Sequence, residues 1–203
     1  MKIGIVDYGM GNLHSVHNAL FHLGFDADLV STPKELANCE RLILPGVGAF
    51  AQAMANLHAL NLVESIKSFA QSGRPLLGVC LGMQLLASEG FEYGRTEGLG
   101  IIKGKVVTLD TQGRRLPHVG WNSVAIQKPH PLFKTQTKKA DFYFVHSYHF
   151  VTEDPADALT TTEYGENFIS SVSRDNAAGV QFHPEKSQEH GLRLLEAFCM
   201  WSV

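Results

Sequence analysis

Cys80 lies in Gly78-Val79-Cys80-Leu81-Gly82, and a histidine and a glutamate stand two residues apart in Gln181-Phe182-His183-Pro184-Glu185. A thiol attacks as its thiolate, which needs a base to take the proton and a carboxylate to hold that base in the accepting tautomer. These side chains supply each part, so the sequence predicts a triad of Cys80, His183 and Glu185 for covalent acyl transfer. The apolar run Pro75-Leu76-Leu77-Gly78-Val79 reads as a strand and Leu81 to Ala87 as a helix, which puts the thiol at the apex of a tight turn. That is the geometry of a nucleophile elbow, with a helix N-terminus favouring the thiolate. Glycine costs about 0.5–1 kcal/mol relative to alanine inside regular structure, so Gly78 and Gly82 need a reason, and close approach of a substrate is the expected one. His183 and Glu185 fall at the end of a predicted strand, where a spacing of two turns both to one face. Cys39 and Cys199 have neither glycine neighbours nor an elbow and read as buried, inert thiols.

The chemistry also needs donors for a developing oxyanion. Pro45-Gly46-Val47-Gly48-Ala49-Phe50 joins a predicted strand to a predicted helix, and its glycines leave backbone N–H groups of Gly46, Val47 and Gly48 available. The N–H of Leu81, next after the nucleophile, is the natural second donor. Tyr8-Gly9-Met10-Gly11-Asn12-Leu13 resembles the start of a dinucleotide loop, but His14 occupies the place of the third glycine, so no nucleotide cofactor is expected. Pairs such as His14/His17 and His146/His149 do not have a zinc-ligand spacing, and no metal is expected.

The elements that must position these groups follow from the pattern. Strands are predicted at 2–7, 27–30, 41–44 and 75–79, with helices at 12–23, 33–40 and a long helical pattern from Phe50 to Gln71. Alternating strands and helices give an α/β fold with a parallel sheet covered on both faces, and its site lies at the carboxyl ends of the strands, where Asp7, Pro45 and Cys80 fall. After about residue 95 the pattern changes to short strands at 105–109, 122–126, 142–147, 158–163, 168–173 and 178–182, expected to extend the sheet in antiparallel fashion or pack at its edge, before a final helix at 187–200. With 203 residues and no linker or repeat, one domain spanning 1–203 is the simplest account. A net charge of −3 without basic runs excludes nucleic acid and anionic membrane as expected partners. No run approaches the roughly 20 apolar residues that span a bilayer. Three widely spaced cysteines argue against a disulfide framework, and a cytoplasmic location is expected.

With the elbow, the glycine-rich loop and the His-x-Glu pair in hand, the chain resembles class I, triad-type glutamine amidotransferases along essentially all of its length. The carriers are Gly78 to Gln84 and Gln181 to Ser187. The segments Asp7 to Leu13, Pro45 to Phe50, Pro117 to Asn122 and Phe142 to Tyr148 further resemble one branch of that family, glutaminase subunits of histidine biosynthesis. The resemblance implies a flavodoxin-like class I glutaminase fold and hydrolysis of L-glutamine to glutamate and ammonia through a glutamyl thioester on Cys80. It implies a separate (β/α)8 cyclase subunit as heterodimeric partner, which receives the ammonia through a channel and makes imidazole glycerol phosphate and aminoimidazole carboxamide ribotide. It assigns Gln84 and Glu92 to the amino-acid head of glutamine, lines the pocket with His146, Ser147 and Tyr148, and places Asn12, Trp121 and Lys186 at or near the partner interface.

Uncoupled hydrolysis would waste glutamine, so a gate is expected, and Gly46-Val47-Gly48 is the expected site: its N–H turns to the oxyanion only when the partner's ligand binds. Three other readings share parts of the pattern. They are a paralogous glutaminase feeding another synthase, such as one making a surface-sugar derivative, a stand-alone cysteine peptidase or amidase, and an inactive scaffold. Gln84 and Glu92 count against the second, and an intact triad against the third.

Overall fold

The computed structural model describes residues 1–136 and 140–202. Four apolar segments of the first half form β1 (Ile3–Val6), β2 (Ala27–Val30), β3 (Arg41–Gly46) and β4 (Leu76–Cys80), which pair in parallel in the order β2-β1-β3-β4. Their side chains alternate between two cores: Leu42, Leu44 and Leu76 enter one, Ile43, Leu77 and Val79 the other. A sheet apolar on both faces needs helices on both. Helices α1 (Leu13–His22) and α6 (Gln188–Cys199) cover the Ile43 side through Val16, Leu20, Leu194 and Phe198. Helices α2 (Pro33–Ala37), α3 (Phe50–Ala59), α4 (Val63–Gln71) and α5 (Leu81–Leu85) cover the other through Leu36, Leu57, Ile66 and Met83. Each fully buried aliphatic side chain contributes about 1.5–3 kcal/mol relative to exposure.

The helix termini follow local chemistry. Thr32 and Glu35 form a reciprocal capping box with Pro33 at the first helical position of α2, so that helix starts where predicted and is shorter. The Phe50 to Gln71 pattern is two helices, not one. Asn61 adopts the left-handed conformation (φ 56°), its N–H bonds the His58 carbonyl, and the Leu62 N–H reaches back to Leu57. This Schellman closure ends α3 while Leu57 and Leu62 remain buried, so the apolar period runs through a break that asparagine tolerates.

The second half adds β5 (Glu89–Gly90), β6 (Thr96–Glu97), β7 (Gly104–Thr108), β8 (His118–Ile126), β9 (Ala140–His146), β10 (Tyr148–Thr152), β11 (Ala158–Tyr164), β12 (Glu166–Arg174) and β13 (Ala177–Val180). The sheet continues β4-β13-β12-β10-β7-β5-β6, with β11 linking β12 to the β8–β9 pair. The expected antiparallel extension is present where β12 pairs with β13 and β10 and where β10 pairs with β7, while β5 joins β7 in parallel. Strand β13 departs from it: it lies beside β4 and parallel to it, with Val180 opposite Val79. Strand β10 was not expected, because Phe142 to Thr152 contains no turn residue except Ser147, where the chain leaves β8 and joins β7 and β12. The position of β13 matters most for the site, since the carboxyl ends of β4 and β13 are neighbours.

Candidate active site

Cys80 ends β4 with φ 55° and ψ −112°, a conformation that L-residues with a side chain rarely hold and that costs about 1–3 kcal/mol. Its surroundings impose that turn. A Cβ on Gly82 would lie 1.7 Å from the Leu44 carbonyl oxygen, and one on Gly78 would lie 2.6 Å from the Gly82 carbonyl oxygen. The flanking glycines therefore have a packing purpose, contrary to the expectation that only substrate approach required them: they let the first turn of α5 lie directly on β3 and β4. The thiol is buried, with its sulfur 3.9 Å from the Val145 carbonyl oxygen.

His183 and Glu185 are adjacent to the nucleophile because β13 runs beside β4. They do not extend a strand as predicted. β13 stops at Val180, and His183 precedes a 3-10 turn over Pro184–Lys186 that carries Glu185. The turn brings the carboxylate under the ring, with Nδ1 of His183 2.8 Å from Oε1 of Glu185 and both side chains almost wholly buried. The His183 N–H donates to the Tyr143 carbonyl, and Ser187 Oγ donates to the His183 carbonyl while accepting from the Tyr143 N–H, which fixes the turn. Nε2 of His183 is buried and has no hydrogen-bond partner among the described residues. Burial opposes a charged ring here, but the nearby Cys80 and the hydrogen bond to Glu185 outweigh it and raise the His183 pKa to about 10. The geometry can thus take a thiol proton onto Nε2 and keep it.

A cleft of about 590 Å³ opens over Cys80 and His183. Val47, Gly48, Leu81, Gln84, Glu92, His146, Ser147 and Tyr148, all predicted site residues, line it. Gly46 does not. It pairs with Cys80 inside the β3–β4 ladder, and a Cβ there would lie 2.4 Å from the Tyr8 hydroxyl, which itself donates to the Pro45 carbonyl at 2.8 Å. Burial first, and the nearby Cys80 second, push the Tyr8 phenol well above its ordinary pKa, so it stays a donor. Glycine's conformational freedom is used instead at Gly48, at φ +100°.

Glu92 is fixed by an N–H of the first turn of α3: one oxygen accepts from Phe50 at 2.7 Å, at the positive end of the helix. Gln84 donates through Nε2 to the Tyr148 carbonyl at 3.1 Å and to Gln181 Oε1 at 3.0 Å, which leaves its own oxygen for a ligand. His146 lines the cleft but has no free ring nitrogen. Its Nδ1 is 2.8 Å from the Tyr148 carbonyl, and its Nε2 is 2.9 Å from Nδ1 of His118, whose Nε2 faces Asn122 at 3.3 Å. With donors on Nδ1 and acceptors on Nε2 both rings fit as neutral imidazoles, and burial lowers their pKa values to about 3 for His146 and about 4 for His118.

Of the residues expected at an interface, Trp121 and Lys186 flank the ring of Tyr143, with Trp121 edge-on at 6.1 Å and Lys186 Nζ 5.9 Å from the centroid. Val119 and Trp121 are about half exposed on the outer face of β8. Asn12 caps the start of α1 and makes no capping hydrogen bond with its side chain. Sequence reading missed Gln181, whose Nε2 is 3.8 Å from the Cys80 sulfur, and also Ala49, Tyr93, Pro117 and Val145 in the cleft wall. For Gln181 a signal existed: it is two residues from His183, on the face opposite Val180 and Phe182, and a polar residue there is out of keeping with a buried strand end.

Comparison with known proteins agrees with this architecture. A family model described as glutamine amidotransferase class-I matches residues 4–201. The imidazole glycerol phosphate synthase subunit HisH of Sulfurimonas denitrificans is 48% identical over 98% of both chains. The HisH protein of Aquifex aeolicus is 49% identical over 98% of this chain and 96% of its own. Among solved structures, PurLQS from Thermotoga maritima superposes with a TM-score of 0.79 at 20% identity, covering 98% of this chain and 97% of that one, a likeness of fold. The elbow, the fold and the full-length relatives together place this chain in the class I glutamine amidotransferase family, among the HisH subunits of imidazole glycerol phosphate synthase.

Proposed function

We propose that this chain hydrolyses L-glutamine to glutamate and ammonia and passes the ammonia to a separate cyclase subunit of histidine biosynthesis, of (β/α)8 fold, in a heterodimer. The observation that carries this reading is the buried pair of His183 and Glu185 beside Cys80, at the base of a cleft whose wall offers the Gln84 oxygen and the Glu92 carboxylate. Cys80 gives its proton to His183 Nε2 and attacks the side-chain amide carbon. His183 then returns the proton to the departing nitrogen, which leaves as ammonia, and a thioester remains on Cys80. The ring next takes a proton from water, whose attack releases glutamate. Val47, Gly48 and Leu81 line the cleft beside Cys80, and their N–H groups are the donors proposed for the oxyanion. Gln84 and Glu92 both present acceptors and thereby suit the α-ammonium group of a free amino acid. Trp121, Tyr143 and Lys186, with the exposed Val119, are the surface assigned to the docking partner, and Asn12 at the start of α1 is assigned to that interface as well. Three reduced cysteines fit a cytoplasmic protein acting as one unit over 1–203.

The test is glutamate release by the chain alone and with a (β/α)8 cyclase subunit and its nucleotide ligand, using Cys80→Ala as control. Strong activation by the complete complex that vanishes in the variant supports the reading, whereas turnover indifferent to the cyclase removes that partner and the gate with it.

A further inference from the structure

Gln181 has no place in the mechanism above, yet it is wholly buried and touches the nucleophile. Its orientation is set by its neighbours. Gln84 Nε2 donates to Gln181 Oε1, so the amide nitrogen of Gln181 must be the atom facing Cys80, at 3.8 Å from the sulfur. The Gln84 amide is itself oriented by the Tyr148 carbonyl, which also accepts from His146, and His146 is held by His118. A continuous chain of hydrogen bonds thus runs from the sandwich of Phe144, His118 and Tyr164 to the Cys80 sulfur, through the side chain that presents its free oxygen to the cleft.

We propose that Gln181 is a positioning residue for the nucleophile: its amide N–H holds the Cys80 thiolate in line with the cleft, and its bond to Gln84 couples that placement to occupancy of the glutamine pocket. An amide donor stabilises sulfur as it gains charge and does little for the neutral thiol. A contact of 3.8 Å is long for the resting thiol and shortens as the negative charge develops. Glutamine suits the position because it accepts from Gln84 and donates to Cys80 with one planar group. The coupling to the pocket rests on the glutaminase reading, but the contact with Cys80 does not.

Gln181→Glu is close to isosteric and can still accept from Gln84, while it puts a carboxylate oxygen against the sulfur. Two readouts apply. In alkylation of Cys80 by iodoacetamide without glutamine, the variant is expected to react about tenfold more slowly at neutral pH, with the acid limb of its pH–rate profile displaced upward by about one unit. In glutamine hydrolysis by the complete complex, kcat is expected to fall at least as far while KM changes by less than about twofold, since Gln84 keeps its partner. Gln181→Met, which fills a similar volume without polar atoms, is expected to lose the same donor and move the same limb. If either variant melts below the assay temperature, the other supplies the result. Folded variants with an unchanged alkylation profile overturn the proposal. A KM rise at constant kcat overturns it as well, since that places Gln181 in binding only. A wild-type complex that turns over no glutamine ends the glutaminase reading, while the alkylation arm still decides the contact between Gln181 and Cys80.

Discussion

The two ends of β13 open onto clefts of nearly equal volume, about 590 Å³ over Cys80 and about 580 Å³ beside Ala177. Both contain charged and polar residues, but their bonding differs. At the amino end, Arg95 pairs with Glu89 at 2.5 Å, Arg174 with Asp157 at 2.8 Å, and Asn176 satisfies the Ala70 and Arg74 carbonyls. The polar groups there close loops. At the carboxyl end, the polar groups are buried, oriented by second partners and left with unused atoms: His183 Nε2 and the Gln84 oxygen face the nucleophile and the cleft. Cavity size does not locate the chemistry in this molecule. The convergence of groups on one cleft does: His183 Nε2 is buried without a partner beside Cys80, and an interaction completed by a ligand or transition state recovers the desolvation it bears.

Substitutions at the two ends can sharpen or break this contrast. At the carboxyl end, Cys80→Ala should lower glutamine turnover by at least about 10⁴-fold without loss of fold, measured by glutamate release and circular dichroism. Retained turnover would show that the cleft works without covalent catalysis. Gly82→Ala should destabilise by more than about 3 kcal/mol in denaturant titration, since the new methyl overlaps the Leu44 carbonyl at 1.7 Å. A small effect would mean that the elbow yields, and that its strain is not held by packing.

Glu185→Gln should lower kcat by about 10²–10³-fold. It also removes one of the contacts that hold the His183 pKa at about 10, so the basic limb of Cys80 alkylation should move to lower pH. An unmoved limb would assign that proton to another group.

Acid stability separates the two ends less sharply. His118 and His146 are held neutral, with pKa values lowered to about 4 and about 3, while in the unfolded chain they titrate near 6.5. Between those values the unfolded state binds protons that the native state refuses, so stability should fall as pH drops from about 6.5 towards 4, by on the order of 1–3 kcal/mol for each ring. Denaturant midpoints across that range should show a shallower slope in His118→Asn. The smallest effect is expected at the amino end: Lys103→Ala, on the wall of the other cleft, should change stability by less than about 0.5 kcal/mol and leave turnover intact.

Much of this was legible in the sequence, for reasons that separate local from non-local signals. The β3 pattern and the glycine-flanked Cys80 each carry their meaning within a few residues, so the parallel half and the elbow could be read directly. The break at Asn61 was hidden because Leu57 and Leu62 keep the helical period across it. The place of β13 beside β4 was not legible either, since a short run such as Ala177–Val180 fits a parallel or an antiparallel neighbour equally well. The true requirement for Gly82 lies in a distant segment, the Leu44 carbonyl of β3, which no local pattern names, whereas Gly78 packs against the Gly82–Met83 backbone of the elbow itself. Gln181 was overlooked although it stands two residues from His183, because its partners Gln84 and Cys80 are about a hundred positions away in sequence.

That same separation has a consequence for synthesis. The elbow is complete once β4 and α5 have been made, but the base, its carboxylate and the amide facing the sulfur are all encoded some hundred residues later. Bringing them together requires closure of a long loop and insertion of β13 between β4 and β12. Until that strand is seated, Cys80 has neither proton acceptor nor donor from this region, and a nascent or partly folded chain emerging from the ribosome consumes no glutamine. Reactivity is therefore a late property of folding, switched on by the strand that completes the sheet.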